Sequence, residues 1–414
     1  VKNMSVNTGD TAWLLISSAL VMLMTPGLAL FYGGMVRRKN LLSTMMMSFA
    51  CLGLVALLWV LYGYSLSFGT DHAGIIGGFN FFGLMNVGQE PSSTYATTVP
   101  HLAFMIFQAM FAIITVALFT GAIVERVKFS ALLIFSALWL TVVYVPTAHW
   151  VWGSGGWLAK LGVLDFAGGT VVHINAGVSA LALVLLLGKR RGFPQDAMEP
   201  NNIPLVLLGA SLLWFGWFGF NAGSALTSGG LASSAFVATN TAAAAAAFTW
   251  MIISWIHKRP TVLGTVTGAV VGLVAITPAA GFVTPLAGIP IGAAAAAISY
   301  YGMVLLKIKL GFDDSLDVFA CHGLGGIWGA LATGIFATLA TNSAGANGLI
   351  AGNGIQLLKQ LVGVVVVAAF AFGVTWMLGK LVDVTIGLRV GQREETVGLD
   401  ISQHGERAYG GLLR

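Results

Sequence analysis

Eleven stretches of about twenty apolar residues, separated by short charged or turn-rich connections, constrain this chain more than any other feature. Coiled as a helix, a run of that length matches the hydrocarbon thickness of a bilayer. In lipid, every backbone N–H and C=O must be satisfied within the segment, so helix is the form such a run takes. The runs lie near residues 10–32, 42–67, 99–124, 128–151, 166–188, 203–222, 233–256, 261–278, 285–306, 317–339 and 356–386. They predict an all-α integral membrane protein with eleven transmembrane helices. Composition closes off the alternatives. Of 414 residues, 57% are hydrophobic and 8% charged, whereas a soluble domain carries about 25% charged residues. A soluble enzyme is excluded. A disordered chain needs low hydrophobicity, and a disulfide scaffold needs many cysteines. The two cysteines present, Cys51 and Cys321, sit in apolar runs and read as buried and unpaired. The net charge of +5 is too small an excess to call for nucleic acid.

The first run continues through Met24, Pro26 and Phe31 to a basic cluster and has no basic leader, so it reads as a span rather than a signal peptide. Lys and Arg in alternate connections set the orientation. One side holds Arg37 to Lys39, Arg126, Lys128, Lys189 to Arg191, Lys258, Arg259, Lys307, Lys309, Lys380, Arg389, Arg393, Arg407 and Arg414; the other holds Lys2, Lys160 and Lys359. The amino terminus is therefore expected outside and the carboxyl terminus in the cytoplasm, with the chain in the cell (inner) membrane.

With the last helix set aside, the spans divide into two sets of five that cross in opposite directions, the plan of inverted-repeat transporters. The expected organisation is a membrane domain over 1–386 and a cytoplasmic tail over 387–414. Repeat one covers about 10–188, repeat two about 203–339 and the final helix about 356–386. Phe31-Tyr-Gly-Gly34 and Phe220-Asn-Ala-Gly223 end equivalent spans. Asp165 precedes His173 by eight residues, and Asp314 precedes His322 by the same interval. The repeat would make the two histidines pseudo-symmetric partners near the midplane.

An ionisable side chain inside a span is costly and by default faces a protein-lined pathway. The alternative is two histidines that only fasten helices through backbone carbonyls. Gly168, Gly169 and Gly177 beside His173, with Gly323, Gly325, Gly326 and Gly329 beside His322, would allow the helices to approach closely. In contact, one ring nitrogen would donate and the other accept, while like charge would oppose double protonation. Two imidazoles fall short of a zinc ligand set, and Cys321 would point about 100° away on a helix. No nucleophile with a base partner stands out, so no cofactor and no enzyme activity are expected.

Among 25 Phe, 12 Trp and 8 Tyr, single rings carry little information, and Trp13, Trp139 and Trp250 read as interface or packing residues. Two clusters differ. Ala148-His-Trp-Val-Trp-Gly-Ser-Gly-Gly156 gathers rings at an outer helix end, and Trp214 to Ser224 places five rings in one span. Such rings attract a cation by about 2 kcal/mol when desolvated.

The segment Asp165-Phe-Ala-Gly-Gly-Thr-Val-Val-His-Ile-Asn-Ala-Gly177 resembles the signature of the Amt/Mep/Rh ammonium transporters, in particular the bacterial Amt branch. The likeness extends through Thr25 to Gly34, Trp217 to Ser224, Gly264 to Pro278, Asp313 to Gly326, and Gly387-Leu-Arg389 to His404-Gly-Glu. It implies a homotrimer of eleven-helix subunits, each with its own pore. By motif, Phe111, Trp152 and Ser224, with Gln108 nearby, would recruit ammonium at an outer site. Phe111 and Phe220 would be the stacked gate, His173 and His322 the twin histidines, and Trp217 a pore-lining ring. Asp165 matches an aspartate near the mouth that caps a helix, supports the cation, or does both, and Asp314 one near the cytoplasmic vestibule. The connection from Phe68 to Val99 and the stretch from Ala340 to Gly354 have no counterpart to carry over, and the Gly-Ser-Gly-Gly after Trp152 departs from a uniform glycine run. The tail is expected to lack a fused signalling domain. The implied function is ammonium uptake, with deprotonation at the rings, ammonia passing the histidines, and a PII-class protein as cytoplasmic regulator. An ammonium sensor signalling through the tail and a neutral gas channel are the alternatives.

Overall fold

The computed structural model describes residues 5–410, so Lys2 and Arg414 of the charge count lie outside the described residues. Eleven helices form where the apolar runs predict them: α1 (Thr8–Met35), α2 (Arg38–Phe68), α3 (His101–Ile123), α4 (Phe129–Leu161), α5 (Gly169–Leu187), α6 (Ile203–Gly223), α7 (Gly230–His257), α8 (Val262–Ile276), α9 (Pro285–Lys309), α10 (Phe319–Phe336) and α11 (Gly354–Ile386). Ten are long and apolar enough to cross a bilayer alone, and α8, with 15 residues, is not. The expected all-α membrane fold is what forms. The connection after α2 carries two antiparallel ribbons, β1 (Asp71–His72) with β2 (Ile76–Gly77), and β3 (Pro91–Ser92) with β4 (Ala96–Pro100). These backbone groups lie beyond the helices and pair with one another.

Equivalent spans of the two halves meet, as a pseudo-two-fold repeat requires. α1 packs extensively on α6. The two run antiparallel: Ser228 N donates to Asp10 Oδ1 (2.9 Å) at one end, and Asn202 N donates to Gly34 O (3.1 Å) at the other. Glycines on both helices make the approach possible; a Cβ on Gly219 would lie 2.8 Å from Ser17 O. α5 meets α10 in the same way. Trp139 and Trp250 are buried packing residues, and Trp13 donates Nε1 to Ala222 O (3.3 Å). Cys51 and Cys321 are buried free thiols.

The basic residues collect at the face opposite the amino terminus, where several are locked in a buried network. Glu125 receives Arg37 N (2.8 Å), Asn40 Nδ2 (3.0 Å) and Arg190 Nη1 (2.9 Å). Arg190 also grips Asp313 with Nη2 (2.7 Å) and Nε (3.0 Å), and Arg126 Nη2 reaches Asp313 O (2.8 Å). The ends of α1, α3 and α5 and the start of α10 are thereby tied together. Burial would raise the Glu125 carboxyl, but the Arg190 and Arg37 guanidiniums outweigh it and hold the group below the ordinary carboxylate range. Asp313 is held low by Arg190 against the same burial.

The tail is docked against this face. Two short helices, α12 (Gln392–Val397) and α13 (Leu399–His404), lie against it. Glu395 accepts from Arg191 N (2.7 Å) and Arg389 Nη2 (2.8 Å), Lys39 Nζ caps Thr396 O (2.6 Å), and Ser43 N donates to Asp400 Oδ1 (2.8 Å).

Arg190→Met keeps length but strands the buried Asp313 carboxylate and leaves Glu125 to Arg37 and Asn40 alone, and should cost about 3–5 kcal/mol. The check is thermal unfolding in detergent. In the native chain the network's contribution is present at neutral pH and disappears below about pH 4, as the depressed carboxyls take up protons. In the Met variant acidification instead relieves the stranded charge.

Candidate conduction pathway

The pathway is built where α5 and α10 cross. A Cβ on Gly177 would collide with the Gly323 backbone, and one on Gly326 would stand 3.0 Å from the His173 Cβ. Only glycine at these positions lets the helices close enough for His173 Nδ1 to lie 3.2 Å from His322 Nδ1. The rings are nearly parallel, 22° apart with centroids at 5.3 Å, and both are buried. Each histidine sits in a wide π-helical turn, Gly169–Ile174 and Phe319–Leu324. Such turns displace a side chain from the regular helical path and often mark functional sites.

The eight-residue Asp-to-His spacing has a structural cause. Asp165 caps the start of α5 with both oxygens: Oδ1 accepts from Gly168 N (2.8 Å) and Gly169 N (2.7 Å), and Oδ2 from Thr170 N (2.8 Å) and Val171 N (3.1 Å). Asp314 Oδ2 accepts from Phe319 N (2.8 Å) at the start of α10. Each carboxylate fixes where its helix begins, and the histidine lies about one turn further on. Outside the spans, burial and the neighbouring Asp317 push the Asp314 carboxyl up to about 6.

On the amino-terminal side of the histidines the rings form a column. His173 stacks on Trp217 (5.4 Å, 20°) and lies 6.1 Å from Phe220. Phe220 stacks on Phe111 (4.2 Å, 28°), and the edge of Phe111 meets Trp152 (5.9 Å, 89°). Trp217 Nε1 is anchored on Thr277 Oγ1 (2.8 Å), Trp152 Nε1 on Asp165 O (2.9 Å), and Ser224 Oγ donates to Phe220 O (2.8 Å). Gln108 is half-buried one turn before Phe111 on α3. Between the histidines and the ring pair lies an enclosed chamber walled by Leu28, Phe31, Ile114, Leu118, Leu213 and Val270, with room for about one water-sized molecule. On the opposite side His322, Cys321 and Val318 line a vestibule of about 520 Å³ that reaches His257 and Asp317. His322 borders both spaces and His173 only the chamber.

One expectation needs correction. The five rings of α6 do not act together: helical spacing turns Trp217 and Phe220 inward, leaves Phe215 exposed, and stacks Phe218 on Phe236 (3.9 Å, 5°). Thr277 went unnoticed in the sequence. It lies just past the end of α8, whose unusually short apolar run was the available signal. Among the described residues no group of three or more His, Cys, Asp or Glu is arranged to hold a metal.

A bundle of eleven spans enclosing a narrow ring-stoppered chamber with a vestibule beyond it is the architecture of a channel or transporter for a small solute. The chain belongs to the Ammonium Transporter Family, whose profile matches residues 12–409. It is 53% identical over 404 residues to the ammonium transporter Amt1 of Archaeoglobus fulgidus, with 98% of this chain and 100% of that protein covered. It is 52% identical over 402 residues to an ammonium transporter of Bacillus subtilis, covering 97% and 98% of the two chains. The crystal structure of Candida albicans Mep2 superposes with a TM-score of 0.89 at 38% identity, covering 97% of this chain and 90% of that one.

Asp165→Asn should cost about 1–3 kcal/mol, because the amide turns an NH2 toward two buried N–H donors. Lower thermal stability with faster amide exchange at Gly168 to Val171 is the expected result.

Proposed function

We propose that the chain takes up ammonium at the amino-terminal, outer face and delivers ammonia to the cytoplasm. The observation that carries this reading is the hydrogen-bonded His173–His322 pair bordering a narrow, mostly apolar chamber. A charge is expensive there, so ammonium gives up its proton above the Phe111–Phe220 stack and the neutral molecule passes. With one Nδ1 donating to the other, one ring turns an Nε2 lone pair to the path and the other an Nε2–H. Ammonia accepts from one and donates to the other, and the imidazole pair offers the released proton a relay.

The mouth supports a cation that is itself a hydrogen-bond donor. Ser224 spends its proton on Phe220 O and Trp152 its N–H on Asp165 O, so both turn only acceptor density, a lone pair and a ring face, to an arriving ion. Ammonium brings four donors and potassium none. A neutral gas gains nothing from such a mouth. Asp165 has both oxygens occupied by backbone N–H groups, which favours its role as a cap, with its charge as background support for the cation. The basic face with the docked tail is assigned to the cytoplasm, where a PII-class protein would regulate flux through a homotrimer in the cell membrane.

Proteoliposomes under ammonium and potassium gradients test the reading; ammonium binding without flux would indicate a sensor instead. His173→Leu should abolish or greatly reduce ammonium-dependent current, whereas His173→Glu or His322→Glu, by placing an anion in the chamber, should admit potassium. A stable double variant with normal, selective flux would sink the relay. Trp152→Leu should weaken apparent affinity by roughly thirtyfold, the equivalent of a cation–ring contact of about 2 kcal/mol. Trp152→Phe, which keeps a ring but loses the Asp165 anchor, should fall between.

A further inference from the structure

A second buried histidine site lies on the amino-terminal face, outside the pathway. His149 lies in α4 on the turn before the break at Gly153, three residues before Trp152, and is fully buried. Its Nδ1 is 2.8 Å from Ser67 O and its Nε2 is 3.0 Å from Asp71 Oδ1. A peptide carbonyl has no proton to give. Asp71 has none either, because the hydrogen bond from His149, the Gly74 N–H and Lys160 hold its carboxyl below the ordinary range against a slight burial. Two proton-less partners require two N–H groups on one ring, and only the imidazolium has both. A neutral ring would set a lone pair against a lone pair at one of the two contacts.

The surrounding geometry shows what this pairing holds. The end of α4 is clasped to the connection between α2 and α3 by Trp150 Nε1 to Ile75 O (2.8 Å), Trp157 N to Gly74 O (3.2 Å) and Ser154 N to Tyr95 Oη (3.0 Å). Gly155 lies so close that a Cβ there would be 2.6 Å from Asp71 Cβ. Trp152 projects from the middle of this clasp. We propose that His149 is a positioning residue for Trp152: an imidazolium latched on Asp71, which ties the α2–α3 connection to the α4 end and so steadies the backbone that carries the ring. The proposal rests on Trp152 being the recruitment ring.

The ionisable groups around the latch, among the described residues, are Asp71 and the neighbouring His72 from β1, Lys160 (3.5 Å from Asp71 Oδ2) from the last turn of α4, and the Tyr95 hydroxyl, which joins Ser154 N to Phe68 O. Asp71 cancels the imidazolium charge, so the latch does not repel an arriving cation. Without the imidazolium one of the two contacts is lost and the backbone carrying Trp152 is held less firmly, while the indole keeps its bond to Asp165 O.

The experiment uses full-length protein with ¹⁵N-labelled histidine in nanodiscs, with His149→Gln identifying the resonances. The expected result is two protonated ring nitrogens. Asp71→Asn, which removes the anion facing the ring, should leave one of them, with faster amide exchange over residues 148–157 and about fivefold weaker apparent affinity, the value of one hydrogen bond, at unchanged maximal flux. A single protonated nitrogen in the native chain, or a Gln variant with native exchange and native affinity, overturns the latch. Trp152→Leu measured alongside keeps the two readings apart: unchanged affinity there removes the recruitment role, whereas ring state and exchange alone decide the latch.

Discussion

The contact between the backbones of α5 and α10 is the constraint on which the rest depends. In lipid no hydrophobic force draws helices together, so close approach has to come from side chains small enough to allow it. Gly177 lies against Gly323, Gly326 against His173, and Gly169 against Pro278. Any Cβ at the first of these wedges the helices apart and separates the imidazoles. Depth is set independently, since the Asp165 and Asp314 carboxylates define where each helix starts. Lateral approach and axial position are thus fixed by different residues, and the paired histidines are the point where the two meet.

Around this contact polarity is graded. The ion pairs lie at the tail face, with Glu125, Arg190 and Asp313 satisfied by one another. The chamber holds hydrocarbon and rings. At the outer rings the Ser224 hydroxyl and the Trp152 indole N–H are already spent on backbone carbonyls. A cation could enter the bundle at either face, but between the ring pair and His322 nothing compensates a charge. Selectivity on this plan follows from where charge is tolerated rather than from pore diameter alone.

Much of this was legible in the sequence, for a reason particular to membrane proteins: the bilayer imposes one length scale, and Val262–Ile276 falls within the expected 261–278 run although it is too short to span alone. The Asp-to-His interval was legible because a cap and a residue about one turn into the helix it caps are local features. The direction of each ring was less so. Five aromatic residues in α6 look alike in a string, and only tertiary contacts place Phe218 on Phe236 while Phe220 meets Phe111. The tail read as a plain appendage because its anchors, Lys39, Asn40, Arg191 and Ser43, lie more than 200 residues away in the chain. The two ribbons after α2 were hidden by their brevity.

The shortness of α8 bears on how such a chain is made. At about 1.5 Å per residue, its 15 residues reach about 22 Å, less than the roughly 30 Å of hydrocarbon. Its end, at Thr277 and Pro278, is housed against Trp217 and Gly169. Emerging from the insertion machinery by itself, α8 would leave polar backbone in lipid, whereas beside a finished α5 and α6 the same backbone has partners. The first five helices are each long and apolar enough to partition unaided. The shortness of α8 thus makes this one span dependent on its neighbours in a way that the other ten are not.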